Sequence, residues 1–221
     1  MNKYLPSAPA LIVATLFVFF ALPLRSQSID QLVAKNVSIR RINYKGRSAI
    51  QVMATPGTAN ATSYAILKNA TFQDGAIEVD LAGQPAAGAT GDARGFIGIA
   101  FRIQENGSYE YIYLRPTNGR ADDQLRRNHS TQYSSYPHFD WARLRKEAPG
   151  QYESYVDLEP GVWTKYKIEV EGHKARLYVN GAKQPCLIVN DLKLTPRQGG
   201  VALWIDPSSE GYFANLKITA K

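Results

Sequence analysis

After its first 28 residues, the chain consists mostly of short stretches in which apolar and polar side chains alternate. In the stretch GAIEVDLAG, for example, Ile77, Val79 and Leu81 alternate with charged residues. A period of two residues is typical of a strand with one buried face. Eleven stretches separated by turn residues have strand character: VSIRRI, AIQVM, YAILK, GAIEVDLAG, RGFIGIAFRI, SYEYIYLR, WTKYKIEVEG, KARLYVNG, CLIV, GGVALWID and GYFANLKITA. The pattern predicts an all-β protein, an antiparallel two-sheet β-sandwich.

The same alternation predicts which side chains face away from the core. In a sandwich, the aliphatic side chains of each strand are buried between the two sheets, so the side chains at the alternate positions point outward. The inward set comprises Ile97, Ile99, Phe101 and Ile103, and on the next stretch Glu110 and Ile112. The outward sets of three stretches are rich in rings and arginine: Arg102; Tyr109, Tyr111, Tyr113 and Arg115; Trp204 and Asp206. Each exposed ring would leave on the order of 100 Å² of apolar surface in water, so we expect a ligand or another segment to cover this face.

The first 28 residues have the composition of a secretory signal peptide. Lys3 precedes an apolar run at 10–22, and small polar residues follow in the sequence RSQS. The apolar run is shorter than the roughly 20 residues that a membrane span needs. We therefore predict a secreted or periplasmic protein, cleaved after Ser26 or Ser28, with one domain at 29–221. An uncleaved signal segment would be its only contact with a membrane.

Charge and cysteine content narrow the possible partners. The formal net charge is +7, and removal of Lys3 and Arg25 lowers it to +5. These charges are spread along the chain and form no dense stripe, so we expect no nucleic-acid partner. Cys186 is the only cysteine, which excludes an internal disulfide bond.

A segment at 116–160 interrupts the strands and has neither a helical nor a strand period. Loops longer than about 15 residues are usually functional or disordered, and the many rings here argue against disorder. We expect this segment to form a long loop over the outward aromatic face, either as a lid or as the rim of a site. Sugars stack their C–H faces on Tyr and Trp and accept hydrogen bonds from Arg. The residue types therefore favour a carbohydrate or glycoside ligand.

Several blocks of the sequence resemble a known superfamily. FQDGAIEVDLAG, GFIGIAFR, YEYIYLR, GVWTKYKIEVEGHKARLYVNG and GGVALWIDPSSEGYFANLKI resemble the concanavalin A-like lectin and glucanase superfamily. Their order is most similar to the laminin G-like and 3-keto-disaccharide hydrolase group. The resemblance implies a jelly-roll sandwich with a ligand on a concave face, and places Arg102 and Glu110 at motif positions. The hydrolase-like group tends to carry Gln or His where this chain has Trp204 and Asp206.

These observations leave three functions open: an exported glycan-binding module, a glycoside-cleaving enzyme of the 3-keto-disaccharide hydrolase type, and a surface protein-interaction module. The predicted ligand-binding residues are Arg102, Tyr111, Tyr113, Arg115, Arg120, Trp141, Trp204 and Asp206. In an enzyme, His138 or Asp140 would be the general base, and Arg102 or Arg115 would stabilise developing negative charge. The histidine spacing predicts no metal site, and no cofactor is expected. A calcium ion bound by Asp122, Asp123 or Asp206 is the alternative.

Overall fold

The computed structural model describes residues 29–58, 62–91 and 93–221, and the strands in these ranges form two antiparallel sheets. The strands are β1 Leu32–Lys35, β2 Val37–Tyr44, β3 Arg47–Ala54, β4 Ser63–Phe72, β5 Gly75–Pro85, β6 Ile97–Ile103, β7 Tyr109–Leu114, β8 Thr131–Tyr136, β9 Glu153–Ser154, β10 Thr164–Glu171, β11 Lys174–Val179, β12 Leu187–Val189, β13 Gly199–Ile205 and β14 Ser209–Ala220. The helices are α1 Gln124–Asn128 and α2 Trp141–Glu147, with 3₁₀ turns at Ile29–Gln31 and Pro116–Asn118. Each of the eleven predicted strands is present.

The order of the strands defines a two-layer sandwich. The first sheet has the order β1-β4-β13-β6-β7-β8-β9, and the second has the order β12-β11-β10-β5-β14-β3-β2. Because neighbours such as β4 and β13 are far apart in sequence, the fold depends on long-range pairing. The predicted all-β sandwich is confirmed.

The core lies between the sheets, where the alternation placed it. Ile77 of the second sheet and Ile99 and Ile112 of the first have no exposed surface. Burying an aliphatic side chain of this size contributes about 1.5–3 kcal/mol. The outer faces carry smaller apolar clusters. On the first sheet we name the rings of Tyr64, Phe96, Tyr109, Tyr111, Tyr113 and Trp204 the aromatic cluster.

Arg102 does not lie on the outer face, contrary to the sequence prediction. Phe101 and Arg102 together oppose Val201 of β13, because the register shifts between Gly200 and Ala202. Arg102 has a φ of +52° at this bulge, and the bulge reverses the alternation. Ile103, which was predicted to point inward, therefore packs against the aromatic cluster on the outer face, and the Arg102 side chain points inward.

Inside the sandwich, the Arg102 side chain connects the two sheets. It has no exposed surface and pairs with Asp74 at 3.0 Å. It also donates to the carbonyl oxygens of Gln73 at 2.9 Å and Gly172 at 2.8 Å. Gln73 and Asp74 lie in the turn that joins β4 of the first sheet to β5 of the second, and Gly172 lies in the turn between β10 and β11, so Arg102 has a structural role.

The sequence predicts one long loop at 116–160, whereas the structure has two strands and two short helices in this segment. β8 pairs with β7 along its whole length, and β9 continues the sheet beyond β8. The strand TQYSSY buries Thr131, Gln132 and Ser134 as fully as it buries Tyr133, so its pattern lacks the apolar alternation of the other strands. The segment extends the edge of the first sheet and carries both short helices.

The predicted signal peptide at 1–28 lies outside the described residues. In the part of the chain that the structure covers, no helix is long and apolar enough to cross a membrane.

Candidate functional site

The rings of the aromatic cluster meet across a glycine. In the first sheet Trp204 of β13 is opposite Gly98 of β6, and Gly98 is opposite Tyr113 of β7. Since Gly98 has no side chain, the Trp204 ring leans over β6 to within 5.0 Å of Tyr113 and 4.9 Å of Tyr111, between ring centroids. A Cβ at Gly98 would lie 2.2 Å from the carbonyl oxygen of Ile112. The predicted residues Tyr111, Tyr113 and Trp204 are thus brought together.

The cluster continues along β7 and remains uncharged. The Tyr109 ring lies 5.2 Å from Tyr111 and 5.8 Å from Tyr64. Burial raises the pKa of the Tyr109, Tyr111 and Tyr113 phenols above the ordinary value of 10.0. The hydroxyl groups are therefore neutral at physiological pH.

Arg115 joins the aromatic cluster to the segment that follows it. Its guanidinium group lies over the rings of Phe96 and Tyr113, at 5.3 and 5.2 Å from their centroids. Nη2 donates to the Tyr113 hydroxyl at 3.0 Å, and Nη1 donates to Glu153 Oε1 at 3.1 Å. The side chain is 5% exposed. Arg115 is held at the boundary between the rings and a charged cleft.

This cleft has a volume of about 410 Å³ and combines cationic with apolar side chains. It is lined by Arg94, Phe96, Arg115, Asn118, Asp123, Leu125, Arg126, His129, Trp141 and Arg145. The 3₁₀ turn at Pro116–Asn118 and the helices α1 and α2 supply half of these residues. We name it the arginine cleft.

Glu153 neutralises part of the charge of the arginine cleft. Its carboxylate accepts from Arg115 and from both Nε and Nη2 of Arg145, and lies 3.3 Å from His129 Nε2. Burial alone would raise the pKa of Glu153, but Arg145, His129 and Arg115 outweigh it and hold that pKa below its usual value. Burial lowers the pKa of His129, against the attraction of Glu153. At neutral pH, Glu153 is ionised and His129 is mostly uncharged.

The two residues predicted as a general base lie on the surface. His138 and Asp140 are exposed. Asp140 caps α2 by accepting the backbone N–H of Arg143 at 2.8 Å, and the His138 carbonyl accepts from the Arg143 side chain at 3.0 Å. Among the described contacts, no hydrogen bond joins the His138 ring to the Asp140 carboxylate. The geometry gives the predicted catalytic roles no support.

The remaining predicted residues have separate positions. Trp141 lines the arginine cleft and is 45% exposed, with Arg145 over its ring at 4.9 Å. Arg120 does not line the cleft, because it forms surface ion pairs with Asp157 and Glu159. Asp206 accepts from the backbone N–H of Ser208 at 2.9 Å and closes a turn.

The structure also gives the positions of the candidate calcium ligands Asp122 and Asp123. The Asp123 carboxylate caps α1 by accepting the backbone N–H of Arg126 at 2.6 Å, and Asp122 is exposed. Within 29–58, 62–91 and 93–221, no group of three or more His, Cys, Asp or Glu residues could hold a metal ion.

The sequence prediction missed seven residues of the cleft, which are Arg94, Phe96, Asn118, Leu125, Arg126, His129 and Arg145, and also Glu153, which pairs with two of its arginines. Those between 116 and 160 were missed because that segment was interpreted as one loop. One signal was present, since Asp123 and Asp140 each precede a short run without Gly or Pro, as N-cap residues do.

No protein-family model matches the sequence, and no curated protein matches it significantly. Solved structures match in fold. The carbohydrate-binding module CBM66 from Bacillus subtilis has a TM-score of 0.55 at 14% identity, over 84% of this chain and 93% of that one. The cellulose-induced protein Cip1 has a TM-score of 0.58 at 13% identity, over 88% and 94%. A Bacillus subtilis protein with a galectin-like fold has a TM-score of 0.51 at 12% identity, over 87% and 92%. The chain has the fold of the concanavalin A-like jelly-roll superfamily.

Proposed function

We propose that the protein is a non-catalytic carbohydrate-binding module whose site is the arginine cleft, with the aromatic cluster packed beneath Arg115. The observation that carries this proposal is the position of Arg115, a buried cation packed on two rings and lining the cleft. The fold is shared with a protein named as a carbohydrate-binding module. That likeness supports the proposal.

The residues of the cleft suit the two surfaces of a sugar. Trp141 presents a half-exposed ring at the cleft, and such a ring stacks on the apolar C–H face of a pyranose. The Arg126 guanidinium group, held by Asn118 Oδ1, provides donors in a fixed position for hydroxyl oxygens. Binding therefore needs no rearrangement of the sheet.

At the arginine cleft, the state of Glu153 favours binding over glycoside cleavage. A glycosidase needs a carboxylic acid that can donate a proton, usually one with a raised pKa. The pKa of Glu153 is lowered, and two arginines occupy its oxygens. The carboxylate is thus a fixed acceptor that orients Arg115 and Arg145.

We also propose that the protein is exported and binds an extracellular or periplasmic glycan. The predicted signal peptide supports this. N-terminal sequencing of the mature protein should begin directly after Ser26 or Ser28; protein that retains residue 1 would contradict export by cleavage.

The test is a binding and product assay on a panel of glycans, including oxidised disaccharides. We expect saturable binding without release of a product. Trp141→Ala should weaken binding about tenfold, as loss of a central aromatic contact does. Ile188→Ala is the matched control, because Ile188 is 48% exposed and lies on β12 of the other sheet. No binding to any glycan would overturn the proposal, and product release would replace it with an enzyme.

A further inference from the structure

We propose that the glycan bound here is anionic, with a carboxylate or sulfate group that Arg126 and Arg115 bind in the arginine cleft. This inference rests on the proposed function and specifies its ligand. Three features of the cleft carry it: a guanidinium without an acidic partner, a buried guanidinium with an unused donor, and an excess of cations beside apolar side chains.

Arg126 lies in the cleft with only neutral partners. Its Nε donates to Asn118 Oδ1 at 3.0 Å, and Nη2 contacts Thr117 Oγ1 at 3.3 Å. Among the described residues, no carboxylate forms an ion pair with it. The nearby Asp123 uses an oxygen to accept the Arg126 backbone N–H. The charge of Arg126 is thus oriented but not neutralised.

One hydrogen-bond donor of the Arg115 guanidinium group has no acceptor among the described residues. Its Nη atoms bind Glu153, Gln132, the Tyr113 hydroxyl and the His129 carbonyl. Its Nε is buried and has no partner in the described part of the chain. A buried N–H without an acceptor destabilises the folded protein, because its hydrogen bond to water is lost on folding and is not replaced. An anionic oxygen in the cleft would satisfy it.

The charges in the cleft do not balance. Apart from Arg94, three arginines line it, and among the described residues the carboxylates that line the cleft or pair with these arginines are those of Asp123 and Glu153. Glu153 is shared by Arg115 and Arg145, and Asp123 caps a helix. A neutral sugar would leave this cationic excess without a partner, whereas an anion is attracted to it.

The apolar lining indicates a sugar carrying the anion, because an inorganic ion would leave that lining unused. Leu125 is 66% exposed and Trp141 is 45% exposed at the cleft, with Phe96 beneath Arg115. A charged sugar residue would place its C–H face on these groups and its acidic group on the guanidinium groups.

Matched pairs of polymers test this inference. Polygalacturonate and its fully methyl-esterified form differ in carboxylate charge, and dextran sulfate and dextran differ in sulfate. We expect at least one charged member to bind about tenfold or more tightly than its neutral partner, and to weaken as salt is raised. The member that shows the preference identifies the acidic group.

Arg126→Gln should reduce binding of the charged polymer about tenfold. Arg40→Gln is the control, because it removes one exposed arginine from β2 at the edge of the second sheet. Unfolding curves of both variants verify that the fold is intact. Equal effects of the two substitutions would show a nonspecific attraction and overturn the inference. Equal binding of charged and neutral members would also overturn it, but would leave glycan binding itself intact. No binding to any polymer or panel glycan would overturn both.

Discussion

Arg102 and Arg120 show how burial determines what one side chain contributes at the residue scale. Arg102 is fully buried and holds Asp74 together with two backbone carbonyls. The Arg120 side chain is 56% exposed, and those of its partners Asp157 and Glu159 are 55% and 45% exposed. Removing a buried partner leaves unpaired polar groups, whereas exposed ion pairs contribute little because water replaces them.

The change Arg102→Met should therefore lower the free energy of unfolding by about 3 kcal/mol. Arg120→Gln should leave the urea midpoint of unfolding in place. Both values come from urea denaturation followed by circular dichroism. A variant at Arg102 as stable as the parent would show that this side chain does not connect the sheets.

Glu153 should make stability depend on pH in the acid range. Its pKa is lower in the folded protein than its ordinary value of 4.5, so folding favours the ionised form. That contribution is present above about pH 4.5 and is lost as the pH falls through the folded-state pKa. The lowered pKa of His129 acts in the same direction, starting from 6.5.

Glu153→Gln should therefore reduce the loss of stability between neutral pH and pH 3, and should destabilise the protein at pH 7. The measurement is the melting temperature as a function of pH for parent and variant. An unchanged pH profile would mean that Glu153 is not held ionised by Arg115 and Arg145.

At the element scale, alternation predicted the long strands and failed where polar residues are buried. Ile77, Val79 and Leu81 lie in the core as expected. The alternation did not predict β8, because its polar residues Gln132 and Ser134 are buried. In this strand a polar side chain does not mark an exposed position. The bulge at Arg102 could not be predicted from the alternation either, because it depends on the register between β6 and β13.

β6 also shows why one glycine matters for the site. Gly98→Ala should lower the free energy of unfolding by about 2 kcal/mol, because its Cβ would clash with the backbone of β7. Gly91→Ala is the control, since nothing lies within 4 Å of a Cβ there. Thermal unfolding compares the two; a Gly98 variant as stable as the Gly91 variant would contradict the close approach of the β7 backbone to Gly98.

At the scale of the whole molecule, the sequence indicated the face that carries the aromatic cluster but not the arginine cleft beside it. Tyr111, Tyr113 and Trp204 were predicted from period alone, and the structure brings them together. The arginine cleft arises only when the segment 116–160 pairs with β7 and places Arg126 and Trp141 beside Arg115. Such long-range pairing leaves no short-range pattern in a single sequence.

The three tryptophans allow the central claim, glycan binding at the arginine cleft, to be measured directly. Trp141 lines the cleft and Trp204 belongs to the cluster, whereas Trp163 packs against Tyr44 on the second sheet. The measurement is a titration of ¹⁵N-labelled protein with the tightest-binding oligosaccharide of the panel, observing the three indole N–H signals by NMR. We predict that the Trp141 signal shifts most, that Trp204 shifts less, and that Trp163 stays in place. A shift confined to Trp163, or saturable binding with no shift of Trp141, would contradict the proposed site.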